Sequence, residues 1–211
     1  MLIDLRKARL EDLIGFVFQH PVAEPEWYFT EDFEVEYDPE TQVRLLTQLF
    51  STPAVLSERF SPEQIEQGLW FIFNRNEPCF TELLWTSEVA WPRRDACIAA
   101  IYHLYADLFP RTKVETIDYM ITDLLADGYG HGLRDPAGNA EDRRVQEALL
   151  QLFQRLLGQP DPTSQYAGLH GLGHLAHPEG SRAIRTYLDR NPGLSVKLRQ
   201  YASEAIAGDV L

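Results

Sequence analysis

The spacing of apolar residues predicts helices along almost the whole chain. After Asp38-Pro39-Glu40, a typical helix start, apolar side chains recur every three or four residues from Val43 to Phe50. Ser61-Pro62-Glu63-Gln64 forms a capping box ahead of the apolar run 65–73. Pro and Gly separate such stretches, so we predict an all-α chain of antiparallel helix hairpins with short connections. The other predicted helical stretches are 3–19, 78–87, 93–108, 112–126, 140–157, 163–176, 179–190 and 195–207.

One segment departs from helical spacing. Between Asp32 and Asp38, the apolar residues Phe33, Val35 and Tyr37 alternate strictly with acidic residues. Successive side chains of an extended strand point to opposite faces. We therefore predict a short extended segment, with its apolar side packed against the protein and its acidic side charged.

The C-terminal part of the chain contains an internal repeat. Gln165-Tyr166-Ala167 recurs as Gln200-Tyr201-Ala202, at an offset of 35 residues, and a third copy occupies 95–104. A period of this length in a helical chain is typical of an α-solenoid, in which each hairpin buries one face against its neighbours.

The stretch Tyr166-Ala-Gly-Leu-His-Gly-Leu-Gly-His-Leu-Ala-His-Pro-Glu179 resembles a HEAT-like repeat, because it contains that family's Ala, Leu-Gly-x-Leu and Pro-Glu turn elements. Residues 59–70 and 169–177 are also similar to uncharacterised bacterial proteins. A HEAT-like repeat implies an α-α superhelix that usually presents a face to a protein partner, although a minority of such folds are enzymes. We predict a single solenoid domain over 1–211, with an N-terminal helix (1–20), an irregular acidic segment (21–38) and helical hairpins (39–211).

The chain is strongly acidic: 19 Lys plus Arg against 32 Asp plus Glu give a formal net charge of −13. Such a chain would repel nucleic-acid phosphates, and its 45% hydrophobic content excludes a disordered protein. Two cysteines, Cys79 and Cys97, are too few for a disulfide framework. With no signal-peptide pattern and no membrane-length apolar run, we expect a cytoplasmic protein without membrane or nucleic-acid partners.

The acidity is concentrated in residues 24–40, which contain eight acidic residues, interleaved aromatics and no Lys or Arg. One interpretation is a docking surface for a basic protein, with aromatic anchors and steering carboxylates. The alternative is an extended lead-in whose aromatics pack and whose acids are simply solvated. The predicted contact residues of a docking surface are Glu24, Glu26, Trp27, Tyr28, Glu31, Asp32, Glu34, Glu36 and Tyr37.

The most specific hypothesis for this surface is a non-enzymatic immunity or antitoxin-like protein. Its partner would be a basic protein such as a toxin, whose cationic site the acidic segment blocks. Carboxylates spaced like phosphates would also mimic nucleic acid against a nuclease. Either form predicts binding that weakens steeply as the salt concentration rises.

A histidine cluster supports an alternative function. His170, His174 and His177 fall on one helical face, opposite the stripe of Leu169, Leu172 and Leu175, so we expect them to be exposed or on a groove. Three imidazoles can hold Zn²⁺ with an open fourth position, as in a metal-dependent enzyme. The sequence lacks the Glu of the H-E-x-x-H motif and any His-Glu pair of HEAT-like metal hydroxylases. We therefore expect no cofactor and no enzymatic activity, with zinc as the alternative.

Overall fold

The computed structural model describes residues 1–74 and 78–210, and these are mostly helical, which confirms the all-α prediction. The chain divides into two compact units, Met1–Ile117 and Asp118–Leu211. No described helix is both long and apolar enough to cross a membrane.

Unit 1 contains two short strands and a series of helices within its described residues. The strands are β1 (Leu2–Asp4) and β2 (Glu34–Glu36). A 3-10 helix covers Phe80–Leu84 and a π-helical turn covers Leu104–Leu108. The α-helices are α1 (Leu10–Phe18), α2 (Trp27–Thr30), α3 (Pro39–Ser51), α4 (Ala54–Arg59), α5 (Pro62–Phe73) and α6 (Trp91–Ala100).

The extended segment predicted around Val35 is confirmed. Strand β2 pairs in parallel with β1, with Val35 opposite Ile3 and Glu34 opposite Leu2. Val35 is half-buried, whereas Glu34 and Glu36 on either side are exposed, as the alternation requires. The N-terminal helix predicted over 1–20 is shorter than expected, because the pairing of β1 holds the first residues in an extended conformation.

Local capping signals fix the starts of two helices in unit 1. The Asp38 carboxylate accepts a 2.8 Å hydrogen bond from the Thr41 N–H at the start of α3. At the start of α5, Ser61 and Gln64 form the predicted capping box. Both helices bury an apolar face in the core of unit 1. The segment 21–38 is held against this core.

Unit 2 is built from successive helices that pack on one another. Helix α7 (Ile117–Gly130) begins at the boundary of the units. It is followed by α8 (Ala140–Leu157), α9 (Pro162–His174), α10 (Gly180–Arg190) and α11 (Val196–Ala207). Helix α9 packs against α8, α10 and α11. Ala167 and Ala202, the equivalent positions of the repeat, are both fully buried. A Cβ atom on Gly171 would lie 2.7 Å from ring carbons of Phe153, so the approach of α8 to α9 requires glycine there.

Candidate functional site

Trp27, predicted as a partner contact, is a core residue. Its indole ring stacks on His20, with ring centroids 3.8 Å apart, and packs against Phe71 and Phe33 at 4.8 and 5.4 Å. Only 3% of its surface is exposed. The prediction that Trp27 anchors a partner is therefore wrong, because its ring packs between Phe16 of α1 and Phe71 of α5 in the core of unit 1.

The two tyrosines of the acidic segment also face inward. Tyr28 lies 5.6 Å from Phe71 by ring centroids, and burial raises the pKa of its hydroxyl. Tyr37 packs edge-on against Phe80 at 5.6 Å. Both are half-buried, so their main contribution is to hold the acidic segment in place.

One of the predicted acidic residues is paired with an arginine of unit 1, and another contacts a histidine. Glu36 lies 2.9 Å from the Arg6 guanidinium, which also contacts Asp4 at 2.7 Å. Glu31 lies 3.4 Å from Nδ1 of His20. The side chains of Asp32 and Glu34 are exposed beside them. The strand-borne part of the acidic segment is therefore partly neutralised within the protein.

Glu24 and Glu26 lie in a different setting, at the rim of a cleft of about 400 Å³ in unit 1, here called the acidic cleft. Five glutamates and one lysine line it, so its formal charge is −4. Apolar groups of Val22, Pro62 and Val114 form part of its wall. The remaining lining residues are Ala23, Glu63, Glu66, Gln67, Lys113 and Glu115.

Glu66 has a structural role in the wall of the acidic cleft. Its carboxylate accepts hydrogen bonds from the N–H groups of Glu115 at 2.9 Å, and of Thr116 and Ile117 at 3.1 Å. It also accepts one from the Trp70 indole at 2.9 Å. These donors leave Glu66 fixed in the wall of the cleft, where it holds the segment 113–117 in position.

Gln67 carries an unsatisfied acceptor at the same cleft. The side chain is 4% exposed, and its Nε2 donates to the Pro21 carbonyl at 3.2 Å. Its Oε1 is buried and accepts no hydrogen bond from the described residues. A buried acceptor without a donor is costly, so Gln67 destabilises the folded state at this position unless a donor reaches it.

The predicted histidine face is only partly formed. His170 is 3% exposed, so the expectation that it lies at the surface is wrong. The face opposite the leucine stripe is covered as well, because Tyr119 of α7 packs edge-on against the His170 ring and Tyr201 of α11 stacks beside it.

His170 and His174 meet a carboxylate that lies far away in the sequence. Oδ1 of Asp123, on α7, lies 3.5 Å from Nε2 of His170 and 3.3 Å from Nε2 of His174. One ligand atom from each of the three residues lies within 4.8 Å of the other two. Burial, and then the neighbouring His170, lower the pKa of His174, while the charge of Asp123 opposes this shift.

No family model, curated protein or solved structure matches the chain. The described residues form two candidate sites, the acidic cleft of unit 1 and the cluster of Asp123, His170 and His174 in unit 2.

His177 does not join this cluster. Helix α9 ends at His174, and Ala176 then adopts a left-handed backbone conformation with φ of 50°. This turn carries His177 away from the helical face, and its Nε2 lies 3.2 Å from Glu147. The spacing of seven residues would align the three histidines only if the helix continued through the turn.

The site residues that the sequence did not predict lie on elements outside the acidic segment and outside the histidine helix. Asp123 lies on α7, where it is four residues from both Tyr119 and Asp127, a polar stripe that the sequence does contain. Glu63 and Glu115 reach the acidic cleft from α5 and from the segment before α7, and no local pattern marks them.

Proposed function

We propose that this chain is a non-enzymatic protein-interaction module that binds a basic protein through the acidic cleft. The observation that carries this proposal is the cleft itself: five glutamates around a concave, partly apolar wall. A concave surface that is both acidic and partly apolar can hold the apolar stem and the charged head of a cationic side chain together.

A lysine or arginine side chain fits this chemistry. Its aliphatic stem would pack on Val22 and Val114, while its charged head would lie among the carboxylates of Glu24, Glu63 and Glu115. Charge-assisted hydrogen bonds of this kind are about twice as strong as neutral ones.

The rest of the acidic segment contributes to the approach of the partner. Asp32 and Glu34 are exposed on the strand side of the same segment and add negative potential. Such a field raises the association rate of a basic partner and weakens as the salt concentration rises. The aromatics of the segment act indirectly, since Trp27 and Tyr28 hold the acidic residues on a packed base.

The most specific form of the proposal is an immunity or antitoxin-like protein that neutralises a basic toxin. A HEAT-like solenoid is the proposed scaffold, supported by the burial of Ala167 and Ala202 at equivalent positions of the repeat. The cytoplasm is the proposed compartment, because Cys79 and Cys97 are both unpaired thiols.

The test is binding of short fluorescent peptides rich in Lys or Arg, compared with neutral peptides of the same length. Wild-type protein is expected to bind basic peptides with an affinity that falls as salt rises. The double substitution Glu24→Lys with Glu115→Lys should abolish this binding, since both side chains are exposed at the cleft.

A matched control variant separates the effect of the acidic cleft on binding from the effect of net charge. Glu58→Lys with Glu88→Lys changes the total charge equally, at exposed positions of unit 1 that do not line the acidic cleft. This variant should keep most of the binding. Equal loss in both double variants would mean that overall charge, and not the cleft, recognises the peptide, and the proposal would be overturned.

A further inference from the structure

The side chains of Asp123, His170 and His174 converge in unit 2 on a shared point. Two come from successive turns of α9 and the third from α7, so the set depends on the tertiary packing of unit 2 rather than on a local motif. We propose that these three residues bind a divalent transition metal ion, with zinc as its closest match.

The distances between the ligand atoms suit tetrahedral zinc. Zinc–ligand bonds of about 2.0–2.1 Å place two tetrahedral ligands roughly 3.3 Å apart. The Asp123 oxygen lies 3.3 Å from Nε2 of His174 and 3.5 Å from Nε2 of His170. All three ligand atoms lie within 4.8 Å of one another, so movements of these side chains on the order of 1 Å would bring them to tetrahedral spacing.

Tyr201 orients the first of the histidine ligands. Its hydroxyl oxygen lies 2.6 Å from Nδ1 of His170. When Nδ1–H donates to this oxygen, Nε2 carries the lone pair that faces Asp123, which is the tautomer that a metal ion requires. The hydrogen bond also fixes the ring plane of a side chain that is 3% exposed. Tyr201 is thus a positioning residue of the site and not a ligand.

The donor set has a chemical consequence. Two imidazoles and one carboxylate provide three protein ligands, which leave one tetrahedral position for water or another small ligand. Structural zinc sites usually have four protein ligands, so this set is of the open type. Its ligands differ from the three histidines that helical spacing alone would select, since Asp123 takes the place of His177.

The test is zinc binding to the full chain, purified without a polyhistidine tag and stripped with a chelator. Titration against a chromophoric zinc chelator should give one zinc ion bound per chain. Asp123→Asn and His174→Gln should each remove this binding, while Tyr201→Phe should weaken it by roughly 10–100-fold, as is typical when a hydrogen bond to a ligand is lost.

Two control variants make the result specific. His177→Gln tests the three-histidine set, and His103→Gln removes a histidine of unit 1 that is paired with Asp107 at 2.8 Å. Both should bind zinc like the wild type. Failure of the wild type to bind stoichiometric zinc, or loss of binding in either control, would overturn the proposal.

A second measurement does not depend on how the ligand variants fold. Zinc should raise the melting temperature of the wild type, because a ligand that binds only the folded state stabilises it. Co²⁺ in place of zinc should give the visible absorption of a tetrahedral nitrogen and oxygen site. An unchanged melting temperature together with an octahedral cobalt spectrum would contradict the assignment.

Discussion

The hydroxyl group of Tyr201 lies 2.6 Å from Nδ1 of His170, and this contact joins α11 to α9 inside unit 2. Burial raises the pKa of Tyr201 to about 12, so the hydroxyl keeps its proton at neutral pH. The two rings lie nearly parallel, with an interplanar angle of 2°. A buried imidazole therefore depends on one neighbouring side chain for the partner of its Nδ1 atom.

Replacing Tyr201 with Phe should lower the free energy of unfolding by about 1–3 kcal/mol, because it leaves the buried Nδ1 of His170 without this partner. Urea denaturation of the metal-free protein measures the change. Tyr187→Phe is the control, since the partner of Tyr187, Gln165, is half-exposed and water can replace the lost hydrogen bond. Equal destabilisation by the two variants would contradict the account.

Ala176→Gly should stabilise the protein. Ala176 has a positive φ of 50°, a conformation that glycine adopts without steric cost. The gain should be about 1 kcal/mol in the free energy of unfolding, partly offset by the greater freedom of glycine in the unfolded chain. Ala183→Gly, inside α10, should instead destabilise the protein by roughly 0.5–1 kcal/mol. Thermal and urea denaturation of the two variants should move in opposite directions.

Gly171→Ala should weaken the packing of α8 against α9. The added Cβ atom would lie 2.7 Å from ring carbons of Phe153, which is buried and cannot move freely. Overpacking of this kind typically costs about 1–3 kcal/mol. Gly193→Ala adds the same methyl group where no atom lies within 4 Å, and its effect on stability should be small. A similar loss at both positions would show that the α8–α9 contact is looser than described.

The two thiols should differ in reactivity. Cys97 is fully buried, and burial raises the pKa of its thiol to about 12, whereas Cys79 is half-buried. Because the thiolate is the reactive form, a disulfide reagent at about pH 8 should modify only Cys79 in the folded protein. Unfolding in denaturant should expose Cys97. Rapid native-state labelling of a Cys79→Ser variant would contradict the burial of Cys97.

The features that the sequence predicted are those set by local chemistry. The Asp38 cap, the Ser61 capping box and the alternation around Val35 each depend on residues a few positions apart, and all three are formed. Helical spacing also brought His170 and His174 to one face. It did not indicate burial, because spacing identifies neighbours on a helix but not the helices that cover them.

The remaining features depend on contacts between distant parts of the chain. Asp123 contacts His170 although the two residues are 47 positions apart in the sequence. No local sequence pattern near either residue predicts this contact. Glu115 reaches the acidic cleft because Glu66 binds the backbone of its segment. Trp27 looked like an anchor because aromatic side chains are enriched at interfaces, yet they also fill protein cores, and Trp27 is 3% exposed.

The measurement that tests the central claim most directly is nuclear magnetic resonance mapping of a bound basic peptide on isotope-labelled protein. We predict that the perturbed backbone amides cluster at the acidic cleft, in residues 22–26, 63–67 and 113–115, and that added salt reverses the changes. Perturbations confined to unit 2 or to the outer face of β2, or no perturbation by any basic peptide, would contradict the assignment of the acidic cleft as the binding site.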